Sequence, residues 1–337
     1  MKATTIYDVA KEAGVSIATV SNAINGKGKV SKKRREEILQ VMERLNYQPS
    51  VIASALMGKK TYTIGLLIPD VSNPFFSEIA RTVEDLAHSG GYSVIVCSTD
   101  NRDERVEKYI RLLEQKNVDG ILIGTGLENA EILALLAEKS FPIVMIAREA
   151  AGISVHSVLT DDFRGGELAA RYLLGKGHKR VAVLSENFKV SSSFERVRGF
   201  RFGLFEAGIS LNPEEILSCE SNIKDGKRAA AAIIRGSERP TALFCCNDLL
   251  AIGALQAAKE AGISVPEQLS IIGFDDTILS TVTNPTLTTI AQPMDQMVKL
   301  AFDLLIGSLD NADEIKQRIV MQPELVIRES TGSPPIE

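Results

Sequence analysis

A chain of 337 residues with 45% apolar and 24% charged side chains exceeds one ordinary domain and can bury a sizeable core. No run approaches the roughly 20 uninterrupted apolar residues of a membrane-spanning helix, and Met1 leads into a polar, helix-forming segment rather than a signal peptide, so no membrane partner and a cytoplasmic location are expected. The net charge of −5 divides unevenly: residues 1–60 hold 11 Lys+Arg against 5 Asp+Glu and the remainder 27 against 38, a basic head on an acidic body, which points to a polyanion bound by the head.

In chain order, Thr5 can cap a short helix whose apolar residues Ile6, Val9, Ala10 and Ala13 fall at helical spacing, and Gly14 ends it. Ser16 can cap a second helix, with Val15 and Val20 as the hydrophobic staple across its start. Two helices joined this tightly make a helix-turn-helix, although an ordinary capped helix hairpin has the same local pattern. Turning Val20 and Ile24 inward leaves Ile17, Ala18, Ser21, Asn22 and Asn25 on a small, polar opposite face suited to a major groove. There Ile17 and Ala18 would touch thymine methyls, Asn22 would pair with adenine and Ser21 would reach phosphate. A third helix, capped by Ser31, packs through Ile38, Val41, Met42 and Leu45. Lys32, Lys33, Arg34 and Arg35 crowd its first turn against the helix dipole, which suggests neutralisation by phosphates.

Pro49 can open and Gly58 close a short helix, VIASALM, that is apolar almost all round and marginal alone. It reads either as a linker packed on the next domain or as a hinge helix that pairs with a second copy on DNA, Leu56 wedging into a minor-groove step with Ala53 beside it.

The segment TTIYDVAKEAGVSIATVSNAING followed by VSKKRREEILQVMERLNYQP resembles the DNA-binding headpiece of the LacI/GalR repressors, and PSVIASALMGKK resembles the hinge of that family, in which the leucine at the position of Leu56 intercalates. The resemblance implies a homodimer on double-stranded operator DNA, contacted through Thr5, Tyr7, Ser16, Ile17, Ala18, Ser21, Asn22, Asn25, Ala53 and Leu56. Asn22 stands where many relatives carry an arginine that contacts guanine, so a relative's operator does not carry over. Within the family, YDVAKEAGVS, IVCSTD, QKNVDGILI and SIIGFDDTILS are similar to DegA-type regulators.

From Thr61 on, β-rich runs (TIGLLIP, YSVIVCS, DGILIG, PIVMIA, RVAVLS, ALFCCN and SIIGFDD) alternate with helical stretches at 75–89, 102–116, 165–176, 225–235, 248–261 and 294–308. Such alternation gives parallel sheets covered by helices, here two doubly wound lobes. Cys97, Cys219, Cys245 and Cys246 lack CxxC spacing and read as reduced and mostly buried; His88, His156 and His178 are scattered singly and read as surface or loop residues. No metal or cofactor is expected.

Ligands of such sheets sit beyond the carboxyl ends of the strands, which draws attention to Asp70, Asn73, Phe75 and Phe76, to Arg148, to Asn247 and Asp248, and to Asp275 and Asp276. Asp248 also reads as a helix cap, one of the two phenylalanines as core, and Asp276 as a turn residue. The body resembles the type 1 periplasmic-binding-protein fold of LacI/GalR effector domains. The resemblance implies a small-molecule effector, sugar-like or sugar-phosphate-like, clamped between the lobes by Phe75, Phe76, Arg148, Asp161, Arg196, Asn247, Asp275 and Gln292. Ala147 replaces an aspartate that many sugar-binding relatives have, and the chain has no tryptophan to stack on a sugar.

The expected organisation is therefore α/β with an all-α N-terminal headpiece: a helix-turn-helix DNA-binding domain at 1–47, a hinge helix at 48–60, two lobes at 61–330 for effector binding and dimerisation, and a flexible tail at 331–337. The rival from another class, a nucleotide- or sugar-dependent enzyme, lacks its motifs, so no enzyme is expected: IGTGLEN has Asn129 in place of a third glycine, and neither a phosphate loop nor a GxSxG elbow occurs. A regulator controlled by a phosphorylated phosphocarrier protein is the nearer rival. Asp303 sits where that subgroup places a basic residue, and an acid there would repel a phosphoserine. A dimer and a tetramer both stay open, although no C-terminal heptad run suggests a tetramerising coiled coil.

Overall fold

The computed structural model, which describes residues 4–25, 30–47, 60–127, 129–150, 152–236, 239–311 and 315–335, divides into two units, Met1–Thr61 and Tyr62–Glu337. In the first, α1 (Ile6–Glu12), α2 (Ile17–Asn25) and α3 (Lys32–Arg44) start at the expected caps. The backbone N–H and Oγ1 of Thr5 both donate to Asp8 Oδ2 (2.8 and 2.7 Å), Ser16 Oγ accepts from Thr19 N (3.1 Å), and Ser31 Oγ accepts from Arg34 N (3.3 Å). The core is small: Val9, Ala10, Val20, Ala23, Ile38 and Met42 are buried. Ala23, which the sequence pattern passes over, is buried more deeply than Ile24, and Arg35 of α3 reaches its carbonyl (2.9 Å). The expected hinge, with Pro49, Ala53, Leu56 and Gly58, lies outside the described residues.

The second unit holds two six-stranded sheets. The chain lays down β1 (Thr63–Ile68), α4 (Pro74–Ser89), β2 (Ser93–Ser98), α5 (Asp103–Gln115), β3 (Gly120–Ile123), α6 (Ala130–Ala137), β4 (Ile143–Ile146) and β5 (His156–Thr160) in the first lobe. It then crosses to the second and builds α7 (Asp162–Gly175), β6 (Val181–Ser185), α8 (Ser191–Glu206), β7 (Ile216–Ser218), α9 (Ile223–Arg235), β8 (Ala242–Cys245), α10 (Asp248–Glu260), β9 (Ser270–Asp275), α11 (Ile278–Val282) and β10 (Thr288–Ala291). Helix α12 (Met294–Asp310) returns to the core of the first lobe, β11 (Arg318–Met321) adds its edge strand, and β12 (Glu324–Val326) ends the second sheet. The orders are β11-β5-β4-β3-β1-β2, parallel throughout, and β12-β10-β9-β8-β6-β7, parallel except for β12 against β10. Strands β3, β4 and β8 are buried along their whole length, as continuous apolar runs covered by helices on both faces should be.

Helix α8, absent from the expected elements, has no continuous apolar stripe because its buried face is Ser192, Ser193, Arg196, Gly199 and Gly203 alternating with Val197, Phe200 and Leu204. It lies so close on α7 that a Cβ at Gly199 would collide with the carbonyl of Phe163, and one at Gly166 with the carbonyl of Arg196. Strands β5 and β10 escape the sequence pattern for a related reason, since their buried positions include His156, Ser157, Thr288 and Thr289.

Two expectations are corrected here. The segment from residue 331 is not a loose tail as far as it is described: Thr331 Oγ1 pairs with Tyr172 Oη (2.8 Å), and Gly332 N donates to Ser270 Oγ (3.0 Å). Nor are all three histidines peripheral. His88 is exposed, but His178 is buried between Thr241 Oγ1 (2.9 Å) and the Gly332 carbonyl (3.0 Å), and buried His156 accepts at Nδ1 from Gln317 N (3.1 Å). Of the cysteines, Cys97, Cys245 and Cys246 are buried, Cys219 is half-buried, and all are free thiols. Among the described residues no helix is long and apolar enough to cross a membrane.

The α7/α8 crossing gives a direct test. Gly199→Ala should force the helices apart and cost about 1–3 kcal/mol or more of stability, read as a lowered denaturation midpoint; an unchanged midpoint would mean that the contact yields freely.

Candidate DNA interface and effector cleft

On the head, the exposed face of α2 carries Ile17, Ala18 and Asn22, with Ser21 half-buried beside them, and Tyr7 is exposed on α1. The side chain of Asn25 lies outside the described residues, as do Ala53 and Leu56. Thr5 and Ser16 are already engaged as helix caps.

The basic first turn of α3 works differently from expectation. Arg34 Nη2 donates to the Ala13 carbonyl (3.1 Å) and its Nη1 pairs with Glu37 (2.7 Å), while Arg35 Nε donates to the Ala23 carbonyl (2.9 Å). Two of the four cations therefore satisfy carbonyls at the C-terminal ends of α1 and α2, where positive charge suits the helix dipole. That leaves Lys32 and Lys33 exposed to solvent. No sequence period signals this, because the bonds join helices.

In the body, the carboxyl ends of the strands carry a cluster of left-handed backbone: Asp100 (φ 54°) and Asn101 (51°) past β2, Ala147 (55°) past β4, and Asp275 (112°) and Asp276 (58°) at the end of β9. Non-glycine residues rarely adopt such angles, and they concentrate where the fold positions side chains for a purpose. Arg196, reaching in from α8, donates from Nε to Asp162 Oδ1 (2.7 Å) and from Nη1 to the Cys246 carbonyl (2.6 Å) and Asp275 Oδ1 (3.3 Å). Its guanidinium also lies 3.6 Å from the ring centroid of Phe274. Asp275 Oδ1 accepts from Gln292 Nε2 (2.7 Å), and Gln292 Oε1 accepts from Thr160 Oγ1 (2.8 Å). One hydrogen-bonded chain thus joins β5, the return crossing after β10, the end of β9 and α8. Burial works against the charge on Arg196, but the Asp162 and Asp275 carboxylates outweigh it and hold its pKa above the ordinary arginine value.

Arg148 contacts the second lobe at a separate point. Its Nη1 donates to Ser192 Oγ (2.6 Å) and to the Ala147 carbonyl (3.1 Å), and its guanidinium lies 5.9 Å from the Phe76 ring centroid. Beside it opens a cavity of about 890 Å³, lined by Arg148, Asp161, Ser192 and residues past β2, β3 and β4. A smaller cavity of about 280 Å³ is bordered by Phe75, Asp275 and Gln292. Of the expected effector residues, then, Arg148 and Asp161 face the larger space, Phe75, Asp275 and Gln292 the smaller, and Arg196 is held within the protein.

Phe75 and Phe76 are both core residues of the first lobe, not one of them alone. Asn247 caps α10 by accepting from Leu250 N (2.9 Å) and donates from Nδ2 to Ser221 Oγ (2.8 Å); the cap expected of Asp248 belongs to its neighbour. Asp161 likewise caps α7 by accepting from Arg164 N (2.9 Å). Asp276 pairs with Arg328 (2.6 Å) in a left-handed turn. Thr160, Asp162 and Ser192 were not singled out in the sequence; the only signals were the neighbouring Asp161 and the serine run before ERVRGF.

Residues 5–50 match the family described as "Bacterial regulatory proteins, lacI family", and residues 61–329 match "Periplasmic binding proteins and sugar binding domain of LacI family". The chain belongs to the LacI family. It is 42% identical to the transcriptional regulator DegA of Bacillus subtilis over 98% of both chains, and 35% identical to the ribose operon repressor of Haemophilus influenzae over 98% of this chain and 99% of that one. Its fold is similar to that of the lac repressor dimer bound to operator and the anti-inducer ONPF, with a TM-score of 0.88 at 28% identity over 98% of this chain and 100% of that one. The headpiece and two-lobe architecture expected from the motifs are those of the family, and these LacI-family relatives are transcriptional regulators rather than enzymes.

Asp248, buried behind the cleft, accepts from Thr277 N (2.8 Å), Thr277 Oγ1 (3.1 Å) and Thr289 Oγ1 (2.7 Å). Burial pushes its pKa up, with the Asp275 carboxylate adding to the shift, and burial pushes Asp275 up as well against the pull of Arg196. A raised folded pKa gives stability that is present below the ordinary carboxylate range and lost as pH rises through the folded value. Asp248→Asn should therefore flatten the decline in stability of the body between about pH 5 and 8. Urea midpoints across that range check it, and a variant with the parental slope would assign the decline elsewhere.

Proposed function

We propose that this LacI-family protein is a cytoplasmic transcriptional repressor whose homodimer binds a two-fold symmetric operator and whose affinity is set by a small molecule held in the cleft of the body. The observation that carries the DNA-binding half is the exposed face of α2 on a head whose helices are tied together from behind by Arg34 and Arg35. Ile17 and Ala18 read thymine methyls, Asn22 reads adenine, and Lys32 and Lys33, with Tyr7 and Ser21, hold phosphates. Ala53 and Leu56 serve as the minor-groove wedge. The similar lac repressor structure, a dimer with operator and anti-inducer, supports both the partner and the stoichiometry, and the ribose operon repressor supports a sugar-like effector. In the body, Arg148, Asp161 and Ser192 on the larger cavity, with Phe75, Asp275 and Gln292 on the smaller, are the effector-facing set.

Selection from random duplex DNA should yield a dyad-symmetric site. Asn22→Ala should then cost about 1–3 kcal/mol at one base position of each half-site and leave the others as they were. Titrations against single-base operator variants check this, and undiminished discrimination at every position would remove Asn22 as a reader.

A further inference from the structure

Two arginines are buried in the cleft, and their surroundings differ. Arg196 is balanced by two carboxylates, Asp162 and Asp275. Arg148 is 9% exposed and, among the described residues, has no carboxylate within ion-pairing distance. Only Nη1 is used, and both of its acceptors, Ser192 Oγ and the Ala147 carbonyl, are neutral. Nε and Nη2 are without acceptors among the described residues. Burial pulls the pKa of this group down, Glu186 opposes that only in part, and the nearby Arg196 charge pushes it down further. A buried guanidinium in this position gains most from an acceptor that brings negative charge.

The geometry shows where such charge can come from. Arg148 faces the cavity of about 890 Å³, and the first turn of α8 opens onto the same space with Val190, Ser191 and Ser192 in its lining. Val190, the N-cap, supplies no side-chain acceptor to that turn. Most acids around the cavity have other partners: Glu149 pairs with Arg318 (2.9 Å), Glu195 with Arg198 (2.6 Å), Asp162 with Arg196 (2.7 Å), Asp161 caps α7 and Asp103 accepts from Asn129 Nδ2 (3.3 Å), while Glu104, the remaining acid of the lining, is exposed to solvent. Glu186, the acid that acts most strongly on Arg148, accepts from Ser193 Oγ (2.7 Å).

We infer that the effector is an anion, a polyhydroxylated small molecule bearing a phosphate or carboxylate, whose charged group sits between the Arg148 guanidinium and the first turn of α8. This rests on the effector-controlled reading above and narrows it from sugar-like ligands to charged ones. Nη2 and Nε donate to the anion in the fork geometry that arginine offers to oxyanions, the N-terminal dipole of α8 favours the same charge, and the remaining polar lining takes the hydroxyls.

The experiment uses the full-length protein at fixed ionic strength with three matched sets: ribose, ribose 5-phosphate and ribonate; glucose, glucose 6-phosphate and gluconate; and inorganic phosphate alone. At least one phosphate or acid should raise the melting midpoint and bind about tenfold or more tighter than its neutral parent. The phosphate and carboxylate arms identify which anion is used. Arg148→Gln should erase that preference, and Arg148→Lys should restore part of it, with both variants retaining a cooperative melt. A neutral sugar that binds as tightly as its charged partners, a preference that survives in Arg148→Gln, or no binding by any charged probe overturns the inference. The parent reading fails on different evidence, namely a protein that selects no operator or whose DNA affinity ignores every cleft ligand. A neutral sugar that alters DNA affinity would leave that reading intact while removing the anion.

Discussion

The charge on Arg196 is the constraint around which the cleft is arranged. A guanidinium withdrawn from water is costly unless it is hydrogen-bonded and its charge is balanced, and here Asp162, Asp275 and the Cys246 carbonyl bond Nε and Nη1, the two carboxylates balance the charge, and the face of Phe274 packs against it. These groups come from the start of α7 and the ends of β8 and β9, so the arginine, itself on α8, fixes where those four elements meet. Gln292 extends the arrangement to Thr160 on the other sheet. The two glycines that let α7 and α8 touch are part of the same solution, since any separation of the helices would draw Arg196 away from Asp162.

The parts of the molecule that were legible in the sequence share a property: their signals are local. Caps at Thr5, Ser16 and Ser31 sit beside the helices they open, and strands such as GILI and IVMI are unbroken apolar runs because both faces of the sheet are covered. The strand-end rule found Arg148 and Asp275 because sheet topology alone places them. What escaped depends on distant partners. Helix α8 hides its amphipathic character because its buried face is made of serine, arginine and glycine. Strand β5 contains a buried histidine whose acceptor role is fulfilled by residue 317. Asn247 holds the cap that the pattern assigns to Asp248, because the helix begins at Asp248 itself and its cap is therefore the residue before it.

The head shows the same principle on a smaller scale. A three-helix unit with a core of six buried side chains, two of them alanines, has little apolar area to spare. Arg34 and Arg35 add ties between helices where further hydrophobic burial is not available. A basic segment that looks dedicated to DNA is therefore divided between tying the helices together and facing solvent. Composition cannot separate those duties; only the carbonyl that each side chain reaches can.

The order in which strands enter the sheets bears on how the chain becomes a protein. The first sheet receives its edge strand β11 only after all but one strand of the second sheet has been made, and the second sheet receives β12 a few residues later. Both sheets therefore lack an edge strand until β11 and β12 are made, whereas the three described helices of the head are synthesised first. Synthesis of this chain thus yields the described helices of the head long before either sheet of the body is complete, and a stop before β11 leaves two open sheets at once.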